Sequence, residues 1–183
     1  MKMIYTHKEL GSIYKSDYQI RKAIADGRIY KLDKGLYSST PSVHPLAEIA
    51  KKYPNAIFTM DSAFYFHGLT DVIPQKTYLA VIRTSNRRMT NRNIVQVFTV
   101  EKYLEIGKTQ TAYEGVTINI YNKERMLIEL ARNKKRLAFD YYKEIVNSYR
   151  KITDELDIQN LESYMAVFGS EEYLFKTIQE EVF

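Results

Sequence analysis

Three sets of side chains in this sequence have the types and spacing to do chemistry. His67 and Asp71 stand four residues apart at the polar exit from an apolar run, where an imidazole can serve as a general base. Arg83, Arg87, Arg88 and Arg92 fall within ten residues, and guanidinium groups pair bidentately with phosphate oxygens. The third set is Tyr18, Gln19, Arg21 and Lys22, followed by Lys31 and Lys34. Side chains of these types read base edges and hold phosphates.

None of the three is a catalytic constellation on sequence grounds. The three histidines, His7, His44 and His67, lack the spacing that puts two metal ligands on one helix face. There is no glycine-rich phosphate loop and no paired-carboxylate motif of the nucleotidyltransferase type. With no cysteine, disulfides, zinc–thiolate sites and thiol nucleophiles are excluded. The reading is therefore of a non-enzyme, with no catalytic residue, no metal and no cofactor expected. The cytosol is the expected compartment, since no apolar run is long enough to span a bilayer and no leader pattern is present.

Charge is distributed unevenly. The chain of 183 residues has a net charge of +5. Residues 1–40 carry eight basic against four acidic side chains, net +4, whereas residues 154–183 carry one basic against eight acidic, net −7. One end suits a polyanion and the other repels it, which argues for two jobs in one chain.

The elements that position the third set are legible. Thr6-His7-Lys8-Glu9 has the spacing of a capping box, and Leu10, Ile13 and Tyr14 give the following helix one apolar face. Ser16-Asp17-Tyr18-Gln19 repeats the box, and a second helix runs to about Asp26, burying Ile20, Ala23 and Ile24. Tyr18 and Lys22 lie on its opposite face, with Gln19 and Arg21 on the flanks. Arg28 to Tyr37 reads as a hairpin turning at Asp33-Lys34-Gly35, with Lys31 and Lys34 near its tip. Two capped helices and a basic hairpin make a winged helix-turn-helix over residues 1–40, whose second helix enters the major groove. The usual preceding helix is missing, since only Met1 to Tyr5 stand there. Met3-Ile4-Tyr5 has the character of a third strand, and a homodimer is the expected compensation for so small a module.

Ser38 to Pro45, with two prolines, reads as a linker. Residues 46–183 then read as an α+β domain: a small sheet of three to five strands with helices before and after it. Its central stretch, Phe58 to Pro74, predicts a short helix capped by Asp61 or Ser62, with Phe64 and Phe66 buried and Gly68 ending it. Strands are expected over 77–82, 94–100 and 117–121. From Asn122 helices are expected, the first with Met126, Leu127, Leu130 and Ala131 on its apolar face, then three more over 139–152, 158–168 and 170–183.

Three segments together resemble AbiEi-type antitoxins, the regulatory halves of type IV, or abortive-infection, toxin–antitoxin pairs. They are Ala63-Phe64-Tyr65-Phe66-His67-Gly68-Leu69-Thr70-Asp71 with Pro74, the hairpin Gly27 to Tyr37, and Lys123 to Arg132. The resemblance implies an operon autorepressor that counteracts a nucleotidyltransferase-like toxin, with operator DNA as a partner, no membrane, and the antitoxin activity in the C-terminal domain. There, His67, Asp71, Arg83, Arg87, Arg88 and Arg92 are the candidates. Two other readings stand beside it. One is an enzyme or nucleotide-binding protein using His67, Asp71 and the Arg83–Arg92 loop. The other is a protein-interaction module acting through the acidic C-terminal helices.

Overall fold

A computed structural model describes residues 4–83, 89–113, 115–169 and 171–183 of the chain. The architecture is α+β, with two small sheets. The chain divides into two compact units, one comprising residues up to Asn55 together with Gln110–Ile118, the other Ala56–Thr109 and Asn119–Phe183.

The first unit opens with strand β1 (Ile4–Thr6), then helices α1 (His7–Tyr14) and α2 (Asp17–Ala25), strands β2 (Tyr30–Asp33) and β3 (Leu36–Ser38), and helix α3 (Pro45–Lys52). The capping box is formed: the Thr6 N–H donates to Glu9 Oε2 at 2.7 Å, and the Glu9 N–H donates to Thr6 Oγ1 at 3.3 Å. Ser16 caps α2 by accepting from the Gln19 N–H at 3.3 Å. The strands form an antiparallel sheet in the order β1-β3-β2. Leu10, Ile20, Ala23, Ile29 and Tyr37 make one core cluster, with Tyr14 and Ile24 partly buried against it, but Ile13, expected on the apolar face of α1, is exposed. A second cluster of Ile4, Leu36 and Ala47 is joined by Val43, Tyr113 and Val116. Val43, inside the expected linker, and Ala47, just beyond it, are therefore part of this unit's packing.

The second unit contains β4 (Ile57–Phe58), α4 (Met60–Phe66), β5 (Thr77–Ile82), β6 (Ile94–Thr99), α5 (Glu101–Leu104), and helices α6 (Lys123–Asn133), α7 (Phe139–Arg150), α8 (Ile158–Phe168) and α9 (Glu171–Glu181). Strands β7 (Lys108–Tyr113) and β8 (Val116–Tyr121) complete a sheet of order β6-β5-β4-β8-β7. Strand β4 pairs antiparallel with β5 and parallel with β8, and β5 pairs parallel with β6.

Helix α4 differs from expectation at its start. Neither Asp61 nor Ser62 caps it. The N-cap is Thr59, without a side-chain cap bond. Ser62 is instead buried and its Oγ accepts from the Tyr78 N–H at 2.9 Å, while the Thr59 N–H donates to the Tyr78 carbonyl at 3.1 Å. Both groups are spent fastening the helix to β5. Phe64 is fully buried, but Phe66 is only half-buried, because it sits at the last helical position where the chain leaves the core. The exit is a Schellman motif: Gly68 N–H to the Tyr65 carbonyl at 3.0 Å and Leu69 N–H to the Phe64 carbonyl at 2.9 Å.

Helix α6 organises the unit. Asn122 caps it through the Arg125 N–H at 3.0 Å, and Met126, Leu127, Ile128, Leu130 and Ala131 are buried. It packs against α4, α8 and α9. Arg125 is also buried, at 1% exposure. Its Nη1 donates to the carbonyls of Tyr103 (2.7 Å) and Ile106 (3.0 Å), and its Nε and Nη2 donate to Glu129 Oε1 at 3.1 and 2.7 Å. The guanidinium lies 4.4 Å from the ring centroids of both Tyr121 and Phe168. The backbone must come close to let this happen, and Gly107 is where it does. A Cβ there would lie 2.4 Å from Arg125 Cβ and 2.7 Å from Asn122 Oδ1, and its φ is +70°.

Gly107→Ala is therefore expected to cost about 1–3 kcal/mol through crowding, on top of about 1–2 kcal/mol for the left-handed backbone. Gly68→Ala has nearly the same φ, +67°, but open space around its Cβ, so only the backbone cost applies. Urea titrations compare the two variants directly. Equal losses at both positions would contradict the packing described at Gly107.

Candidate functional site

Helix α2 is amphipathic with an unoccupied outer face. Ile20 and Ala23 point into the core, and Tyr18, Gln19, Arg21 and Lys22 are all exposed, Tyr18 at 75%. Tyr18, Arg21 and Lys22 follow the i, i+3, i+4 spacing that places side chains on one face. The turn from α1 is only Lys15-Ser16, with Lys15 in the left-handed region at φ 58°. On the hairpin, Lys31 and Lys34 are exposed, and the tip is held by the Lys34 N–H donating to Asp33 Oδ1 at 2.6 Å.

Three carboxylates of this unit are paired with cations: Glu9 with Lys51 at 2.9 Å, Asp26 with Arg28 at 2.8 Å, and Asp33 with Lys52; Asp17 lies 3.2 Å from the His7 imidazole. The Lys52 hydrogen bond, helped by the Lys34 amide, holds the Asp33 carboxyl below its ordinary range. Arg21, Lys22, Lys31 and Lys34 make no ion pair among the described residues. They remain available to phosphates.

The candidates of the second unit are dispersed. His67 is the C-cap of α4, and its Nε2 lies 2.7 Å from the Tyr121 carbonyl oxygen, so the neutral ring donates from Nε2. Asp71 is exposed in a different cleft, of about 430 Å³, shared with Gly68, Thr70, Glu144 and Lys151. There Glu144 Oε1 accepts from Thr70 Oγ1 at 2.7 Å and from the Asp71 N–H at 3.0 Å, which fixes the turn. Arg83 follows the C-terminal end of β5, and Arg92 precedes β6. Because these strands run parallel, the two arginines flank opposite ends of the pair. Arg87 and Arg88 lie outside the described residues. Among the described residues no group of three His, Asp or Glu side chains comes together to hold a metal.

Sequence reasoning missed the charged stripe Arg125, Glu129 and Arg132. The three stand at i, i+4 and i+7 on one helix, where Arg125 is sealed in and Glu129 nearly so. Glu129 Oε1 also accepts from Arg132 at 3.2 Å, and Arg132 lies 4.7 Å from the Phe168 ring centroid. Gly107 and the aromatic residues Tyr121 and Phe168 are the matching signals, but they are distant in sequence. Asp61, expected as a cap, sits instead beside two phenols. Burial and its carboxylate push Tyr78 and Tyr141 up from their ordinary values.

Burial also pushes the His67 imidazole down from 6.5. The unfolded chain then binds this proton more readily than the folded one, so the contribution is intact above pH 6.5 and is lost as pH falls through that value. His67→Gln keeps a donor for the Tyr121 carbonyl but cannot be protonated. Between pH 7.5 and 5.5 (values chosen to bracket roughly one unit about an ordinary histidine), the urea midpoint of the wild type should fall more than that of His67→Gln. Parallel curves would show that His67 is not held neutral.

No family model matches this chain, and no curated protein matches it either.

Proposed function

We propose that the chain is a DNA-binding regulator of the antitoxin kind, built as a winged helix-turn-helix joined to an α+β domain. On this reading it represses its own operon through the first unit and counteracts a nucleotidyltransferase-like toxin through the second. The observation that carries the DNA-binding half is the outer face of α2: Tyr18, Gln19, Arg21 and Lys22 are exposed on a helix capped at Ser16, and Asp26 and Asp33 are paired with Arg28 and Lys52. Gln19 supplies an amide suited to adenine, and Arg21 or Lys22 a donor suited to guanine. Lys31 and Lys34 on the β2–β3 hairpin supply sequence-independent phosphate contacts. Strand β1 supports the unit by pairing with β3 and burying Ile4.

The antitoxin half rests on the resemblance of the His67–Asp71 and Lys123–Arg132 segments to AbiEi-type proteins. The acidic α8 and α9 cannot favour DNA, which supports a separate task for the second unit.

Base-reading substitutions should cost about 1–3 kcal/mol in binding, and each phosphate lysine removed should lower the salt slope by about one. In gel-shift assays on the protein's own upstream DNA, Gln19→Ala/Lys22→Ala should lose sequence preference. Lys31→Ala and Lys34→Ala should weaken binding to all sequences. With the toxin induced in cells, Gln19→Ala/Lys22→Ala should lose repression and still restore growth. A double variant that binds and represses like wild type would refute the role given to α2.

A further inference from the structure

The five-stranded sheet ends at β6, and no described strand covers the outer side of that strand. We infer that β6 pairs antiparallel with β6 of a second copy of this chain. The two-fold axis passes beside Phe98, and the two sheets continue as one.

The backbone groups left over on this edge follow from the ladder. The Thr77 N–H donates to the Asn93 carbonyl at 2.7 Å, and the Arg83 N–H to the Thr99 carbonyl at 2.9 Å. Between these bonds β5 and β6 run parallel in unbroken register, from Thr77 opposite Ile94 to Ile82 opposite Thr99. Successive residues of a strand turn their backbone groups to alternate sides. Residues 93, 95, 97 and 99 therefore face β5, and the N–H and carbonyl of Phe98 face outward. Neither has a partner among the described residues.

Edges of this kind are usually blunted by lysine, proline or a bulge. Ile94-Val95-Gln96-Val97-Phe98-Thr99 has no proline and no charge, and its pairing with β5 has no bulge. Five of the six residues are β-branched or aromatic, the types that favour strands. Such an edge accepts a further strand through main-chain hydrogen bonds.

The side chains identify that strand as a second β6. Phe98 and Val100 stand two residues apart, hence on one face, and are 51% and 42% exposed. A two-fold at Phe98 sets the two rings directly opposite each other, with Val100 of each copy on the diagonal. Cross-strand aromatic pairs and diagonal neighbours of this kind stabilise a sheet. The same axis joins the outward N–H of each Phe98 to the carbonyl of the other. Closed two-fold contacts of this sort are the commonest way for identical chains to associate. None of these residues belongs to the proposed DNA-contacting face, so the inference goes beyond that function and is tested without DNA.

Sedimentation equilibrium of the full chain is the first arm of the test. Wild type should show twice the 21.5 kDa of one chain. Phe98→Lys, which places a charge on the edge, should show one chain, with its circular dichroism unchanged. The second arm uses the absence of cysteine from the sequence. An antiparallel hydrogen-bonded pair holds its Cα atoms about 5.5 Å apart, within disulfide reach. Under mild oxidation Phe98→Cys should therefore crosslink to a dimer roughly tenfold faster or more than Phe139→Cys, at an exposed position on α7. A wild type that sediments as one chain at every concentration, a Phe98→Lys variant that keeps the double mass, or an advantage below roughly tenfold for Phe98→Cys overturns the assignment.

Discussion

A single buried cation, Arg125, is the constraint to which the second unit is built. An unpaired guanidinium at 1% exposure would be prohibitively costly, so its donors have to be met by fixed groups. Meeting them dictates several features at once. The carbonyls of Tyr103, within α5, and Ile106, just after it, must present themselves, and Gly107 must bring the backbone against the side chain. Two rings must cover its faces, and Glu129 must follow one turn later. Burying the pair is not in itself a gain in stability, but removing one partner of such a pair typically costs about 3–5 kcal/mol. The contribution of Arg125 is to specify one arrangement of α5, α6 and α8.

The same logic, applied to surface charge, separates the two units. In the first, Glu9, Asp26 and Asp33 are paired with Lys51, Arg28 and Lys52, and a set of lysines and arginines is left over. In the second, Lys123 and Lys134 answer Glu155 and Glu181, while Glu162, Glu171 and Glu172 stay exposed on α8 and α9. Exposed ion pairs contribute little stability; their importance here is in deciding which charges remain available. The first unit offers cations to a polyanion and the C-terminal helices offer carboxylates with exposed Tyr173 and Phe175 among them.

Much of the first unit was legible because its signals are local. A capping box, a second cap three residues before Gln19 and a glycine turn each act within a few residues, and both helices start where Thr6 and Ser16 place them. The apolar spacing of α6 was legible for the same reason. What could not be read depended on distant partners. Ser62 looked like a cap because serine before an apolar run usually is one; its bond to Tyr78 is formed by folding. Phe66 looked buried because composition does not reveal where a helix leaves the core. The arginines at 83 and 92 looked like one cluster, and only the parallel register of β5 and β6 separates them. The burial of Arg125 could not be read, since nothing adjacent in sequence announces Gly107 or Phe168.

The central functional claim is that the outer face of α2 meets DNA and the acidic helices do not. Photo-crosslinking tests it most directly, with p-benzoylphenylalanine installed at Tyr18 in one protein and at Tyr173 in another, both exposed aromatic positions. The account predicts that the Tyr18 probe crosslinks to the protein's own upstream DNA and is displaced by unlabelled copies of it, while the Tyr173 probe gives no adduct. Crosslinking from position 173, or none from position 18 under conditions where the DNA is bound, would contradict it.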